Sequence, residues 1–142
     1  MNIENETNYK ITTICEFNGI TIGISYDNEW YLIKSSFVKK ANENTLIGLP
    51  LLEGSYNEFI VCLQEGIKKA GKKRSLMDNF PIEIIVLAAL KSDSSHWNGR
   101  ALEWLDHLKN INIYEDSLKA ISIAKSSSQK NKHKATKLLN RV

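Results

Sequence analysis

The alternation of apolar and polar residues in the first third of the chain predicts antiparallel strands. Residues 9–17 alternate with a period of two, which is the side-chain spacing on the two faces of a strand. Asn18 and Gly19 follow, and this pair favours a type I′ hairpin turn because both central positions need a positive φ. Second and third strands are predicted over 20–26 and 29–33, and Gly23 suggests a bulge or a close neighbour. Residues 35–54 form a connection that holds either a fourth strand or a short helix near 36–40.

From residue 55 onward the apolar positions recur with helical spacing. Ser55 and Glu58 have the spacing of a capping box at the start of a first helix, which Gly71 is suited to end. A second helix is predicted over 82–90, where we interpret the apolar run as a buried helix rather than a strand. A third helix covers the segment HWNGRALEWLDH with Asp93, Ser94 or Ser95 as its cap. A fourth is expected over about 114–124 and a fifth over about 128–140.

These elements predict an α+β protein. An N-terminal antiparallel meander of three to four strands is expected to pack against a C-terminal bundle of about five α-helices. We expect a single domain over residues 1–142, with a β-rich part over 1–54 and a helical part over 55–142. The start of the chain has no features of a signal peptide, and no apolar run approaches the roughly 20 residues that span a bilayer. We therefore expect a cytoplasmic protein with no membrane partner.

The N-terminal and C-terminal parts of the chain carry net charges of opposite sign. Residues 1–60 hold eight acidic and four basic residues, whereas residues 61–142 hold eight acidic and fifteen basic ones, within a net charge of +3. No acidic residue follows Asp116. An asymmetry of this kind biases the choice of partner and the rate of encounter without setting the fold.

The segment HWNGRALEWLDH contains two of the three tryptophans and two of the three histidines. On a helix, its apolar residues form one stripe that we predict to be structural core: Trp97, Ala101, Trp104, Leu105 and Leu108. His96 and His107 would lie roughly 16 Å apart along the helix axis, too far for one metal ion. Glu103 and His107 have the spacing of an ion pair, and no HExxH arrangement is present. The segment therefore predicts core packing, with neither a metal site nor a catalytic site.

No other motif predicts chemistry. The chain lacks GxGxxG, GxxxxGK[ST] and GxSxG sequences, so we expect no cofactor, no small-molecule substrate and no enzymatic activity. Cys15 and Cys62 stand in apolar contexts without a CxxC motif, which is typical of buried free thiols.

Two C-terminal segments resemble small bacterial immunity proteins of contact-dependent growth inhibition and related polymorphic toxin systems. The first is IIVLAALKSDSSHWNGRALEWLDHL and the second is SSSQKNKHKATKLL. The residues that carry the resemblance are Trp97, Ala101, Leu102, Trp104, Leu105, Ser128, Gln129, His133, Ala135, Lys137, Leu138 and Leu139. The resemblance implies a non-catalytic protein that forms a heterodimer with the C-terminal domain of its cognate toxin and occludes the active site of that toxin.

Toxins of such systems are often nucleases with cationic clefts, and an acidic surface would complement them. The predicted partner-binding residues are Glu16, Asp27, Glu29, Glu53 and Glu58. The alternative function is a nucleic-acid-binding module that uses the basic C-terminal helix. The residues of that alternative face are Lys130, Lys132, Lys134, Lys137 and Arg141.

Overall fold

The computed structural model describes residues 2–4, 10–43 and 46–142, with the backbone alone for 2–4. The chain divides into two compact units, Met1–Ile82 and Glu83–Val142, and each is described here by itself. The division falls after the first long helix, so that helix belongs with the sheet. The predicted α+β class is confirmed.

The first unit is built on an antiparallel sheet whose strand order follows the sequence, β1-β2-β3-β4-β5. Its strands are β1 (Asn2–Glu4), β2 (Lys10–Phe17), β3 (Ile20–Ser25), β4 (Trp30–Lys34) and β5 (Phe37–Lys40). The predicted meander is therefore confirmed, and the connection after β4 holds a strand rather than a helix. The short edge strand β1 was not predicted from the sequence pattern. Tyr9, the predicted first residue of a strand, lies outside the described residues.

The turn between β2 and β3 has the predicted type I′ geometry. Asn18 has φ 52° and Gly19 has φ 81°, so both central residues occupy the left-handed region. This turn places β2 and β3 side by side with Phe17 opposite Ile20. A second left-handed residue, Asn28 with φ 65°, lies in the connection from β3 to β4.

A β-bulge changes which face of the sheet β2 presents. The pairing runs from Thr13 opposite Gly23 directly to Cys15 opposite Ile22, which leaves Ile14 as the extra residue. Ile11 therefore lies on one face, in a cluster with Tyr31 and Ile33, whereas Cys15 lies on the other. The simple alternation predicted for 9–17 is wrong beyond Thr13. It grouped Ile11 with Cys15, and it placed Ile14 on the polar face although Ile14 is buried.

The second face of the sheet packs against helix α1 (Tyr56–Lys69). The Ser55 hydroxyl accepts a hydrogen bond from the Glu58 amide at 3.1 Å, which confirms the predicted N-cap. The aromatic core runs from the sheet to the helix: Phe59 lies 5.5 Å from Phe17 and 5.4 Å from Phe80, between ring centroids. Phe80 in turn meets Trp30 edge to face at 5.5 Å. Two 3₁₀ helices, Leu46–Glu53 and Arg74–Asn79, complete the unit.

The second unit contains the other predicted helices, which the structure confirms. They are α2 (Ile82–Lys91), α3 (Ser95–Leu105), α4 (Glu115–Ile123) and α5 (Gln129–Leu139), with a short 3₁₀ helix at Asn112–Tyr114. Ser94 is the N-cap of α3, where it accepts a hydrogen bond from the Trp97 amide at 3.2 Å. Asn98 is buried, and its side-chain amide donates to the carbonyl groups of Ala89, Leu90 and Ser92 at the end of α2.

Within the described parts of the chain, no single helix is long and apolar enough to cross a membrane. The helices Leu46–Glu53 and Tyr56–Lys69 meet that length and composition only when taken together, and they are bent by 108° where they join.

Candidate partner-binding groove

The five predicted partner-binding acids do not form one patch. Asp27 and Glu29 flank the β3–β4 turn, whereas Glu16 lies beside the β2–β3 turn. These turns lie at opposite ends of β3, which is six residues long, or roughly 20 Å. The structure thus separates two of the predicted residues from the rest.

Asp27 and Glu29 have structural partners. The Ser25 hydroxyl donates to the Asp27 carboxylate, and the Glu29 amide donates to the Ser25 hydroxyl at 3.1 Å. Glu29 also forms an ion pair with Lys40 at 3.5 Å, and the carboxylates of Glu29 and Glu43 raise the pKa of Lys40. These contacts stabilise the turn and connect β4 with β5. Asp27 and Glu29 therefore have a structural role at this end of the sheet.

Glu16, Glu53 and Glu58 lie at the other end. Glu53 precedes Gly54, and a Cβ on Gly54 would lie 2.6 Å from Phe17 Cε2, closer still to Phe17 Cζ, and 3.0 Å from Asn18 Nδ2. Adjacent strand residues point to opposite faces. Because Phe17 packs on α1, the Glu16 carboxylate points away from that helix. Of the predicted residues, Glu58 is the one that lines a concave surface in this region of the described chain.

That surface, the acidic groove, is formed by the outer side of α1 and the end of β2. It is a shallow, open depression of about 520 Å³ that is lined by Phe17, Asn57, Glu58, Val61, Cys62 and Glu65. The inner side of α1 buries Phe59, Leu63 and Ile67, so the positions between them face outward. Val61 is 50% exposed. The groove is therefore lined by both apolar side chains and carboxylates.

The charge of the groove has one sign. Among the described residues that line it, Glu58 and Glu65 are acidic and none is basic. The two glutamates are two helical turns apart, or roughly 10 Å. The spacing suits two separate cationic groups of a partner better than one metal ion, and no cluster of three metal-ligating side chains occurs in the described part of the chain.

The two cysteines come together beneath this groove. Cys15 faces α1, and the Cys62 thiol on that helix donates a hydrogen bond to the carbonyl oxygen of Glu16, the residue next to Cys15, at 3.5 Å. Burial, with a further contribution from Cys62, raises the pKa of the Cys15 thiol. Both residues are free cysteines, as predicted, but they are half-buried rather than fully buried. The bulge at Ile14 turns Cys15 toward α1.

The predicted basic face on α5 is also divided. Lys130, Lys134 and Lys137 share one side of the helix, whereas Lys132 lies about 200° away from Lys130. Asp106 forms ion pairs with Lys134 and, at 3.9 Å, with Arg141. Arg141 lies beyond the end of α5 and also donates to the Leu108 carbonyl at 3.1 Å.

A second groove, the basic groove, lies between α3 and α5. It encloses about 580 Å³ and is lined by Gly99, Leu102, Glu103, Lys130, Asn131, His133, Lys134 and Lys137. Glu103, its acidic residue, is paired with Arg100 at 2.8 Å. The groove is cationic, although one of its lysines is already held by Asp106.

The tryptophan-rich segment is structural. Ala101, Trp104 and Leu105 are buried as predicted, while Trp97 and Leu108 are half-buried. Leu102 and Asn98 belong to the buried side of α3 as well. Helix α3 ends at Leu105, before His107, and Glu103 forms an ion pair with Arg100 at 2.8 Å. His96 is exposed and lies edge-on to Trp97 at 4.9 Å.

Comparison of the chain with protein-family models, with curated proteins and with solved structures gives no match. The assignment of a function therefore rests on the surface chemistry and on the resemblance seen in the sequence.

One feature of the sequence points to the acidic groove and was overlooked when the partner-binding residues were predicted from charge alone. Val61 and Cys62 are apolar residues outside the buried stripe of α1. Val61 is exposed and lies one helical turn from both Glu58 and Glu65, so the sequence spacing already puts an apolar side chain between two carboxylates.

Proposed function

We propose that this chain is a non-catalytic binding protein that neutralises a cognate toxin domain, and that the acidic groove receives a cationic segment of that domain. The observation that carries the proposal is the groove itself, which is lined by exposed Val61 and half-buried Phe17 together with the carboxylates of Glu58 and Glu65. The resemblance to immunity proteins supports the same class of function.

The groove favours a lysine- or arginine-bearing protein segment as its occupant. The long aliphatic parts of these side chains pack on apolar surface while their charged ends reach carboxylates. Phe17 and Val61 offer such a surface, and the two glutamates flank it. In a protein interface, an apolar centre supplies affinity, whereas charges at the rim supply orientation and a faster association rate.

Occlusion would follow from the same contacts. A nuclease toxin needs its cationic cleft to hold phosphate groups. If that cleft, or a basic segment beside it, is occupied by the carboxylates of this chain, the substrate cannot enter. This mechanism needs no reaction by the chain itself and operates in the cytoplasm, the location that the proposal assigns.

The test is co-expression with the C-terminal toxin domain of the adjacent upstream gene product, followed by co-purification and a growth assay. The informative variant carries Glu58→Lys and Glu65→Lys. Its matched control carries Glu43→Lys and Asp78→Lys, which makes the same charge change at exposed positions that do not line the groove. We expect the groove variant to lose at least about tenfold in affinity, mainly through slower association, and the loss to shrink at high salt.

A Val61→Ala variant separates packing from charge. It should weaken binding by up to about 1 kcal/mol with little dependence on salt. Retained affinity in the double groove variant, or an equal loss in its control, would contradict the placement of the partner in the groove. Absence of any complex and of growth rescue would contradict the toxin-binding function as a whole.

The second candidate function is nucleic-acid binding through the basic groove, which the cluster of Lys130, His133 and Lys137 favours. Its expected property is an affinity for DNA or RNA that falls steeply with salt and with the substitutions Lys130→Glu and Lys137→Glu. The engagement of Lys134 and Arg141 by Asp106 reduces the free positive charge, so we rank this function second.

A further inference from the structure

We propose that Cys15 and Cys62 form a reversible intramolecular disulfide when the protein meets a peroxide. This modification site is independent of the proposed toxin binding, because it rests on the juxtaposition of the two cysteines. Cys15 on β2 faces α1, and the Cys62 thiol on α1 lies 3.5 Å from the carbonyl oxygen of Glu16, the residue next to Cys15, although the cysteines are far apart in the sequence.

The pairing depends on the β-bulge. In a regular strand Cys15 would point to the same face as Ile11, which packs with Tyr31 on the side away from α1. Because Ile14 is the extra residue, Cys15 pairs with Ile22 and turns toward the helix. The helix has a fixed position here, since Phe59 packs on Phe17 and a Cβ at Gly66 would contact Ile14. The fold therefore holds the two cysteine side chains on the facing surfaces of β2 and α1.

The two thiols have different surroundings, which suggests an order of events. Cys62 lines the acidic groove and is open to a small oxidant. Burial raises the pKa of Cys15, so this residue stays protonated and attacks poorly by itself. Cys62 is thus suited to react first, and Cys15 is suited to react with the product.

The reaction is balanced with hydrogen peroxide as the oxidant. The Cys62 thiolate attacks one peroxide oxygen, the O–O bond breaks, and the leaving hydroxide takes up a proton to become water. Cys62 is then a sulfenic acid. The Cys15 sulfur attacks the Cys62 sulfur, the S–O bond breaks as the S–S bond forms, and hydroxide leaves with the Cys15 proton as water. Two thiols are oxidised and one peroxide is reduced to two waters.

The disulfide would join β2 to α1 directly under the acidic groove. It would restrict the unfolded chain by closing the loop between residues 15 and 62, and the oxidised protein should therefore melt at a higher temperature than the reduced one. A thiol reductant reverses the modification by exchange through a mixed disulfide.

The test is intact-mass analysis of the full chain before and after treatment with stoichiometric hydrogen peroxide, with iodoacetamide added to block remaining thiols. We expect a loss equal to the mass of two hydrogen atoms, no alkylation, and a Cys15–Cys62 cross-linked peptide after proteolysis. Dithiothreitol should restore two alkylatable thiols. Full alkylation after peroxide, or oxidation that yields only sulfinic acid or intermolecular dimers, would overturn the proposal.

Single variants test the assigned order. In Cys15→Ser, the sulfenic acid on Cys62 should persist and be trapped by dimedone. In Cys62→Ser, the remaining Cys15 should react with peroxide several-fold more slowly than Cys62 does in the first variant. Equal rates would overturn the order while leaving the wild-type mass result as the test of the disulfide. Toxin binding can fail without affecting any of these results.

Discussion

Replacing Gly66 with alanine distinguishes local helix propensity from tertiary packing. Gly66 lies inside α1, where alanine is favoured over glycine by about 1 kcal/mol. In the structure, however, a Cβ on Gly66 would lie 2.8 Å from the Ile14 carbonyl carbon and 2.9 Å from Ile14 Cγ2, and closer still to the carbonyl oxygen. Propensity predicts stabilisation, and packing predicts the opposite.

The packing effect should dominate because the obstacle is backbone. Overfilling a packed site costs about 1–3 kcal/mol when side chains can rearrange. The Ile14 carbonyl belongs to the bulge of β2 and cannot rotate away, so the cost should reach the upper end of that range. After the propensity gain is subtracted, Gly66→Ala should destabilise the protein by about 2 kcal/mol, which corresponds to a fall in Tm of roughly 6–8 °C.

The assay is urea and thermal denaturation followed by circular dichroism and by tryptophan fluorescence, to which Trp30 contributes from the core beside Phe80. Gly99→Ala is the matched control, since Gly99 is also a helical glycine but its nearest neighbour is the Asn131 Oδ1 atom at 3.2 Å, a side-chain atom that can shift. The control should lie between no change and a gain of about 1 kcal/mol. A Gly66→Ala protein as stable as the wild type would refute the reasoning.

Three further substitutions test single side chains. The buried Tyr114 hydroxyl makes no hydrogen bond to the described residues, and burial raises its pKa. The free energy of unfolding should therefore fall once the pH exceeds the unfolded-state tyrosine pKa of about 10. Tyr114→Phe should reduce that fall and leave the stability at neutral pH equal or higher. Urea titration at neutral pH and above the unfolded-state pKa measures both effects. Asn98→Asp removes the donor to three carbonyl groups and should cost about 3 kcal/mol in the same assay, whereas Asn140→Asp at an exposed position should cost far less. Ser94→Ala should cost about 1 kcal/mol through loss of the α3 cap, and Ser94→Asp should retain most of the stability.

The sequence was sufficient for the elements whose signals are local. The Asn18-Gly19 turn, the Ser55 cap of α1 and the Ser94 cap of α3 each depend on the backbone preferences of a few adjacent residues. The helices were predictable for the same reason, since their amphipathic stripes are properties of consecutive residues. The short strand β1 gave no comparable signal because three residues carry no periodicity.

The candidate site was predicted only in part. Glu58 lies in the acidic groove, but Asp27 and Glu29 lie at the other end of β3, and Glu16 points to the other face of the sheet. The number of acidic residues in a stretch of sequence does not show which of them are close in space. Strand direction and the face of the sheet decide which acidic side chains become neighbours. Lys134 and Arg141 show the same effect, since their pairing with Asp106 joins positions from different elements.

The sequence by itself determined the helices, the strands β2 to β4, the turn between β2 and β3, and the helix caps, because these follow from preferences over a few bonds. Only the tertiary structure decided that Cys15 lies against Cys62 and that Gly66 has no room for a methyl group. Both facts follow from the extra residue Ile14 in β2. Its position depends on how β2 pairs with β3 and packs beneath α1, and those contacts join residues far apart in the chain.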